Sequence, residues 1–312
     1  MSTNHTVVIG AGPVGLTAAA HLVQRRMPFT ILEAGDRVGA SMRRWGHVRL
    51  FSPWALDLDP LAAALLRERG WQPPDAAEHP TGADIVERYL EPLAAHPAIA
   101  AHLRLGAAVS AITRQGRSRL DSTDRADAAF VVRYVHGGAE HEMNASAVID
   151  ASGTWTTPNP LGAAGIPARG EADAADRITY GIPDVLGADR PRFAGKRVAV
   201  AGGGHSAANV LLDLAQLAAT DPATTITWLL RRPDAARLVG GGAKDELPER
   251  GRLGTSVDHL VADGRISVAR DFRADRVTRT DDGLVVAEAD RDVGPFDEIV
   301  VATGLRPDLA PL

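Results

Sequence analysis

One arrangement of apolar and polar positions occurs twice along this chain. The run Thr6–Ile9 leads into a glycine cluster, GAGPVG at 10–15. Residues 16–25 then carry apolar side chains at helical spacing, and a second apolar run, Phe29–Leu32, ends at Glu33. The same order returns with Arg197–Ala201, the cluster GGGHSA at 202–207, a helical pattern over 208–217 and Thr225–Leu230, which ends at Arg231 and Arg232. Both copies predict a strand, a tight turn, a helix and a parallel strand. Each half also contains an apolar strand that runs into small residues, 147–149 before Ala151-Ser152-Gly153 and Glu298–Val301 before Ala302-Thr303-Gly304. Between the two copies, 40–100 reads as loop with short helical pieces, and 129–135 is the clearest of several alternating strands. Proline and glycine cluster over 156–170 and 181–195, which places the domain boundary in that interval.

Composition narrows the chemistry. The 312 residues contain no Cys, which excludes within them a disulfide framework, a thiolate-held metal, a thiol nucleophile and a redox dithiol. Redox chemistry must therefore come from a bound cofactor. Of 34 basic residues only Lys196 and Lys244 are lysines, and neither sits in an apolar setting suited to a Schiff base. A net charge of −5 argues against nucleic acid or an anionic membrane as the main partner. No uncharged apolar run has the roughly 18 residues of a membrane span. The start, MSTNH, has no basic leader, so the expected location is cytoplasmic. The histidines show no HExxH or HxH spacing, so no metal site is expected.

A GxGxxG between strand and helix suits a dinucleotide. The first glycine permits a sharp turn, the second lets a pyrophosphate approach the backbone, and the third lets helix and strand pack closely, with the anion at the positive helix end. Gly10, Gly12 and Gly15 fill these places, and Glu33 can accept hydrogen bonds from a ribose diol. In the second copy Gly202, Gly204 and Ala207 take the three places and Ser206 adds a hydroxyl. Arg231 and Arg232 replace the acid. A carboxylate there repels a 2′-phosphate whereas a guanidinium binds it, so this site favours NADPH over NADH; the other reading of two arginines after a strand is a solvated loop.

Two nucleotide units with Glu33 in one and Arg231 in the other, together with VVIGAGPVG, Val38-Gly39, Trp45, VIDASGTW, FAGKRVAVAGGGHSA and IVVATGLRPD, resemble flavoproteins with two dinucleotide-binding domains. Within that group the chain is most similar to flavin-containing monooxygenases and related bacterial FAD/NAD(P)H oxidoreductases. The resemblance implies an α/β fold of two Rossmann-like domains with a small antiparallel meander, the NADP domain being inserted in the FAD domain. It implies FAD-binding residues over 1–160, an NADPH-binding domain over 161–297, and a return to the FAD domain over 298–312, where the chain stops short of the family's usual final strand and helix. It also implies FAD on Gly10, Gly12, Gly15 and Glu33, with Ser41 and Trp45 beside the flavin and Val109 contacting adenine. NADPH would lie on Gly202, Gly204, Ser206, Ala207 and Arg231, with Ser152, Gly153, Thr303 and Gly304 at the crossings between domains.

The expected reaction is hydride transfer from NADPH to FAD, then oxygenation of a small molecule by O2. Without a dithiol, the chain is set apart from related reductases that relay electrons through one. The family's FxGxxxHS fingerprint is missing; in its place stands GIPARGEADAADRITYGIPDV at 165–185. Two alternatives therefore stand beside monooxygenation: a reductase serving a protein acceptor, and a nucleotide-sensing module without chemistry. Trp45 and Trp54 bracket His47, Arg49, Phe51 and Ser52, either a lining for flavin and substrate, with His47 and Arg49 as candidate catalytic groups, or a loop packed under a core aromatic pair. The run Gly240-Gly241-Gly242 lacks the GK[ST] ending of a phosphate loop and reads as a surface loop.

Overall fold

Strands buried on both faces read as continuous apolar runs, and such runs build the parallel sheets of this protein. The computed structural model describes residues 4–234 and 245–312. The chain divides into two compact units, Met1–Thr156 with Pro307–Leu312, and Thr157–Arg306. The glycine run 240–242 and Lys244 lie outside the described residues.

In the first unit, β1 (Thr6–Ile9) and β2 (Phe29–Leu32) are buried at every position. They pair in parallel, Thr6 opposite Phe29. The helix Pro13–Gln24 connects them, with Pro13 in the first turn, where its missing N–H leaves no bond unmade. Adding β3 (Leu103–Arg104) and β7 (Ala147–Asp150) gives a parallel sheet of order β3-β2-β1-β7. Short helices between 40 and 100 cover one face, and Trp54, Tyr89, Leu90 and Leu93 are buried there against Leu16 and Ile31. An antiparallel meander of β4 (Ala107–Arg114), β5 (Phe130–His136) and β6 (Ala139–Ala145) supplies Val132 and Tyr134, which pack with Val7 and Leu32.

The second unit repeats the plan. Its sheet runs β11-β10-β9-β15-β8, from β8 (Ile178–Tyr180), β9 (Arg197–Ala201), β10 (Thr225–Leu230), β11 (Ser267–Arg270) and β15 (Glu298–Val301). The helices His205–Thr220 and Pro248–Ala262 pack on one face around Trp228, Leu211, Leu214 and Val257. On the other face β12 (Arg276–Thr280), β13 (Gly283–Glu288) and β14 (Arg291–Phe296) form a second meander, whose Leu284, Val286 and Phe296 meet Ile299 and Val301.

The structure corrects the expected course of 298–312. β15 does not return to the first unit: its apolar residues lie between β9 and β8, Ile299 opposite Ala199 on one side and Ile178 on the other, and the pairing buries both faces. It is Pro307–Leu312 that belongs with the first unit, where the Ile112 N–H donates to the Pro311 carbonyl at 2.6 Å. The first crossing likewise falls at Thr156, earlier than residue 160. Among the described residues no helix is long and apolar enough to cross a membrane.

Asp213, on the helix His205–Thr220, gives the second unit a pH dependence. Burial, reinforced by the charge of Asp184, pushes its carboxyl up to about 6. An unfolded aspartate titrates near 4, so between about pH 4 and pH 6 the folded chain keeps a proton that the unfolded chain has lost, and stability falls as pH rises through that window. Asp213→Asn is expected to raise Tm by a few degrees at pH 7.5 and to leave it unchanged at pH 4. Thermal unfolding across that range checks this; an equal gain at both ends would mean that the carboxyl is not the cause.

Candidate functional site

The two glycine turns are built alike, each around the first glycine and a carbonyl from another strand end. Gly10 has φ +94°, and a Cβ on it would lie 2.6 Å from the Ala151 carbonyl oxygen. Gly202 has φ +140°, and its Cβ would lie 2.3 Å from the Ala302 carbonyl oxygen. Only glycine fits both the left-handed backbone and the approach. Ala151 and Ala302 each donate their N–H to the end of the strand that leads into the glycine turn, to the carbonyls of Ile9 in β1 and Ala201 in β9. The small-residue segments that close each half are thus interlocked with the turns, which is where the structure brings Ser152, Gly153, Thr303 and Gly304.

Gly12 and Gly204 are the residues at which the two helices begin, and neither helix has a side-chain cap. A Cβ at Gly12 or Gly204 would meet nothing within 4 Å. Open space therefore lies against the backbone of each turn, at the positive helix end, and this fits a pyrophosphate. Glu33 closes the first turn: its Oε2 accepts the Ala11 N–H at 2.6 Å and its Oε1 accepts the Gly35 N–H at 2.8 Å. These bonds hold the carboxylate beside the turn, with lone pairs remaining for a diol. Gly15 packs helix against strand.

In the second unit the turn opens on a cleft of about 630 Å³, lined by Gly202 to Gly204, Ser206, Arg231, Arg232, Thr303 and Gly304. Ala207 is fully buried beneath the turn and packs helix on strand instead of lining the cleft. Trp228 Nε1 donates to the Gly202 carbonyl at 2.6 Å, which pins the first glycine from below. The segment 159–165, within the proline- and glycine-rich interval expected to hold the domain boundary, also lines the cleft. Arg231 is exposed, and its Nη1 donates to the Ala163 carbonyl at 3.2 Å. His205, in the first turn of the helix, has its pKa lowered, chiefly by burial.

The aromatic segment of the first unit is partly brought together. The Gly39 N–H donates to the Ala11 carbonyl at 3.0 Å, so the short helix Ala40–Arg43 with Ser41 starts beside the first turn. Trp45 lies with its ring centroid 6.5 Å from that of Trp155, and its ring packs on Gly82. His47 Nε2 is buried with no hydrogen-bond partner among the described residues. Arg49 is exposed and its Nη1 is held by the His79 carbonyl at 2.5 Å. Trp54 is wholly buried in the core, so the packed-loop reading applies to this end of the segment. Ser52 Oγ donates to Asp57 at 2.6 Å, and burial raises the Asp57 pKa. Val109 lies in β4, opposite Tyr134.

A search of curated proteins finds no match. Solved structures of similar fold include bacillithiol disulfide reductase Bdr from Bacillus cereus, 18% identical with a TM-score of 0.72, covering 98% of this chain and 79% of that one. The cadaverine monooxygenase DfoA from Erwinia amylovora, solved bound to FAD, is 17% identical with a TM-score of 0.67, covering 99% and 80%. A flavin-containing monooxygenase from Stenotrophomonas maltophilia is 23% identical with a TM-score of 0.60, covering 100% and 81%. At such identities the likeness establishes the fold, two Rossmann-like units. Residues 7–312 also match the pyridine nucleotide-disulphide oxidoreductase family, nearly the whole chain, and the protein belongs to that family of oxidoreductases.

Proposed function

We propose that this chain binds FAD on the first glycine turn and NADPH in the cleft of the second unit, and that it uses them to oxygenate a small molecule with O2. The observation that carries the reading is the pairing of two turns of one design with opposite charges at their strand ends, Glu33 in one and Arg231 with Arg232 in the other. Glu33 would bind the adenosine ribose of FAD, and the open backbone at Gly12 its pyrophosphate. Gly204 and Ser206 would bind the NADPH pyrophosphate, and the two arginines its 2′-phosphate. When bound, the cofactors supply the chemistry: NADPH gives hydride to the flavin, which passes electrons to the acceptor.

The residues of this chain bind and orient, and no side chain is required as a redox group. With no Cys among the 312 residues, a dithiol relay within them is excluded even though the family name includes disulphide reduction. The monooxygenases DfoA and that of Stenotrophomonas share the fold and support the oxygenation reading. His47, with its buried ring nitrogen that has no hydrogen-bond partner among the described residues, and Arg49 are the side chains proposed for the substrate end of the flavin site.

The missing FxGxxxHS favours a second reading, an NADPH-dependent reductase that serves a protein acceptor. Anaerobic titration of the purified, flavin-loaded protein with NADPH, followed by oxygen, separates the possibilities. Bleaching of the flavin absorbance by NADPH supports both enzyme readings. Oxygen uptake coupled to an oxygenated product supports the first, and sluggish reaction with oxygen supports the second. A colourless protein that cannot be loaded with FAD would overturn both and leave a nucleotide-sensing module.

A further inference from the structure

Glu171 is a charged side chain that is only 2% exposed, and among the described residues no cation pairs with it. Its carboxylate is instead met by four donors. Oε1 accepts from the Leu161 N–H at 2.9 Å and the Tyr180 hydroxyl at 2.6 Å; Oε2 accepts from the Gly162 N–H at 3.3 Å and the Ala168 N–H at 2.6 Å. A buried carboxylate is costly unless its lone pairs are satisfied, and these bonds satisfy it. Burial and the neighbouring carboxylate both push the Tyr180 hydroxyl up, so it remains a donor.

Three of the four donors are backbone groups of one loop, so Glu171 fixes the course of residues 161–168. Leu161, Gly162, Ala163 and Gly165 of that loop line the cleft, and the Ala163 carbonyl holds Arg231. The Ala163 N–H is tied in turn to the Ala274 carbonyl at 2.9 Å, so the carbonyl that receives the guanidinium has little freedom. We infer that Glu171 is a positioning residue for 2′-phosphate recognition: by folding the 161–168 loop it places the carbonyl that orients Arg231, and so sets the preference for a phosphorylated over an unphosphorylated pyridine nucleotide. This rests on the reading of the cleft as the NADPH site.

Glutamine is the informative replacement. Its amide nitrogen is a donor and must face either the Leu161 N–H or the N–H groups of Gly162 and Ala168, so a loop amide loses its acceptor while size is kept. A purely structural clamp, when weakened, lowers stability or weakens both nucleotides alike; a positioning clamp changes their ratio.

The experiment is isothermal calorimetry of the full chain with NADP⁺ and NAD⁺, alongside circular dichroism, for Glu171→Gln, Gly162→Ala and the double variant Arg231→Ala/Arg232→Ala. A Cβ on Gly162 would lie 2.0 Å from the Ile166 carbonyl oxygen, so Gly162→Ala disturbs the loop with Glu171 intact. Either loop variant is expected to weaken NADP⁺ by about 10-fold and NAD⁺ by less than about 3-fold, the scale of one lost charge-assisted contact. A folded loop variant with an unchanged NADP⁺/NAD⁺ ratio overturns the inference, as does failure of both loop variants to fold, which would make Glu171 a core clamp only. If the double arginine variant also leaves the ratio unchanged, the NADPH reading of the cleft is what fails; if that variant loses the preference and the loop variants keep it, only the role of Glu171 fails.

Discussion

Gly15→Ala is expected to yield a protein that folds poorly and retains almost no flavin. A Cβ at this position would lie 1.9 Å from the Gly10 carbonyl oxygen, a backbone atom that cannot move aside as a side-chain end could. Relief requires the helix Pro13–Gln24 to shift off β1. Leu16, Ala19 and Ala20, all fully buried on that helix, would lose contact with Val8 and Ile31. Overpacking of this kind costs roughly 2–3 kcal/mol, a large share of a domain's stability. The same shift would misplace the N–H groups of the turn, so FAD affinity should fall by about 100-fold or more, in keeping with that energy. Flavin-to-protein absorbance ratio after purification and Tm measure the two effects. Wild-type flavin content in the variant would show that the first turn does not carry the cofactor.

The double variant Arg231→Ala/Arg232→Ala is expected to lose about 100-fold in NADPH affinity while NADH changes less than about 3-fold, since charge-assisted bonds to a phosphate contribute roughly 1.5–3 kcal/mol each. The arginines stand at the end of β10, on the rim of the cleft, and Arg231 is already tethered to the Ala163 carbonyl. A guanidinium held before the ligand arrives gives up less conformational freedom on binding, which is why the effect should be large for an exposed side chain. Titration with each nucleotide checks the prediction; equal losses would mean that the pair attracts the nucleotide without reading its 2′-phosphate. Salt should weaken NADPH more than NADH, because the extra phosphate is bound near solvent.

Much of the fold is legible in the amino-acid order because its central strands are buried on both sides. Thr6–Ile9, Phe29–Leu32, Arg197–Ala201, Thr225–Leu230 and Glu298–Val301 are strands to the residue, since no polar face interrupts their apolar runs. Short or half-exposed pieces are not legible in this way. Ile178–Tyr180 is three residues long and lies between two stretches rich in proline and glycine, and it is a strand because β15 pairs with it. β12 is largely polar, Arg276 to Thr280 with only Val277 buried, and its identity depends on pairing with β13. The first strand of the second meander is therefore invisible to a search for apolar periodicity.

The candidate site divides along the same line. Gly10, Gly12, Glu33 and Arg231 announce themselves because their spacing repeats a local geometry. Glu171 does not, because its partners at 161, 162, 168 and 180 meet it only after the loop has folded. The segment 159–165 reads only as part of a domain boundary because its small residues and prolines have no period. Its position at the cleft is set by bonds to residues far along the chain, Thr303 Oγ1 to the Asn159 carbonyl at 2.9 Å and the Ala163 N–H to the Ala274 carbonyl.

The place of β15 between β9 and β8 has a kinetic consequence. On the ribosome β8 and β9 emerge long before β15, yet they do not pair with each other, so this sheet stays split until residues 298–301 arrive to join its halves. The closing is secured by Asp297, whose carboxylate accepts from the Arg197 side chain at 2.8 Å and the Arg197 backbone N–H at 2.8 Å across 100 positions of sequence. Parallel pairing at such separation raises contact order and slows folding, and the waiting edges of β8 and β9 present unpaired backbone N–H and C=O groups that other chains can join. The yield of this protein during synthesis should therefore depend on chaperone supply and on the rate of translation through the meander that precedes β15.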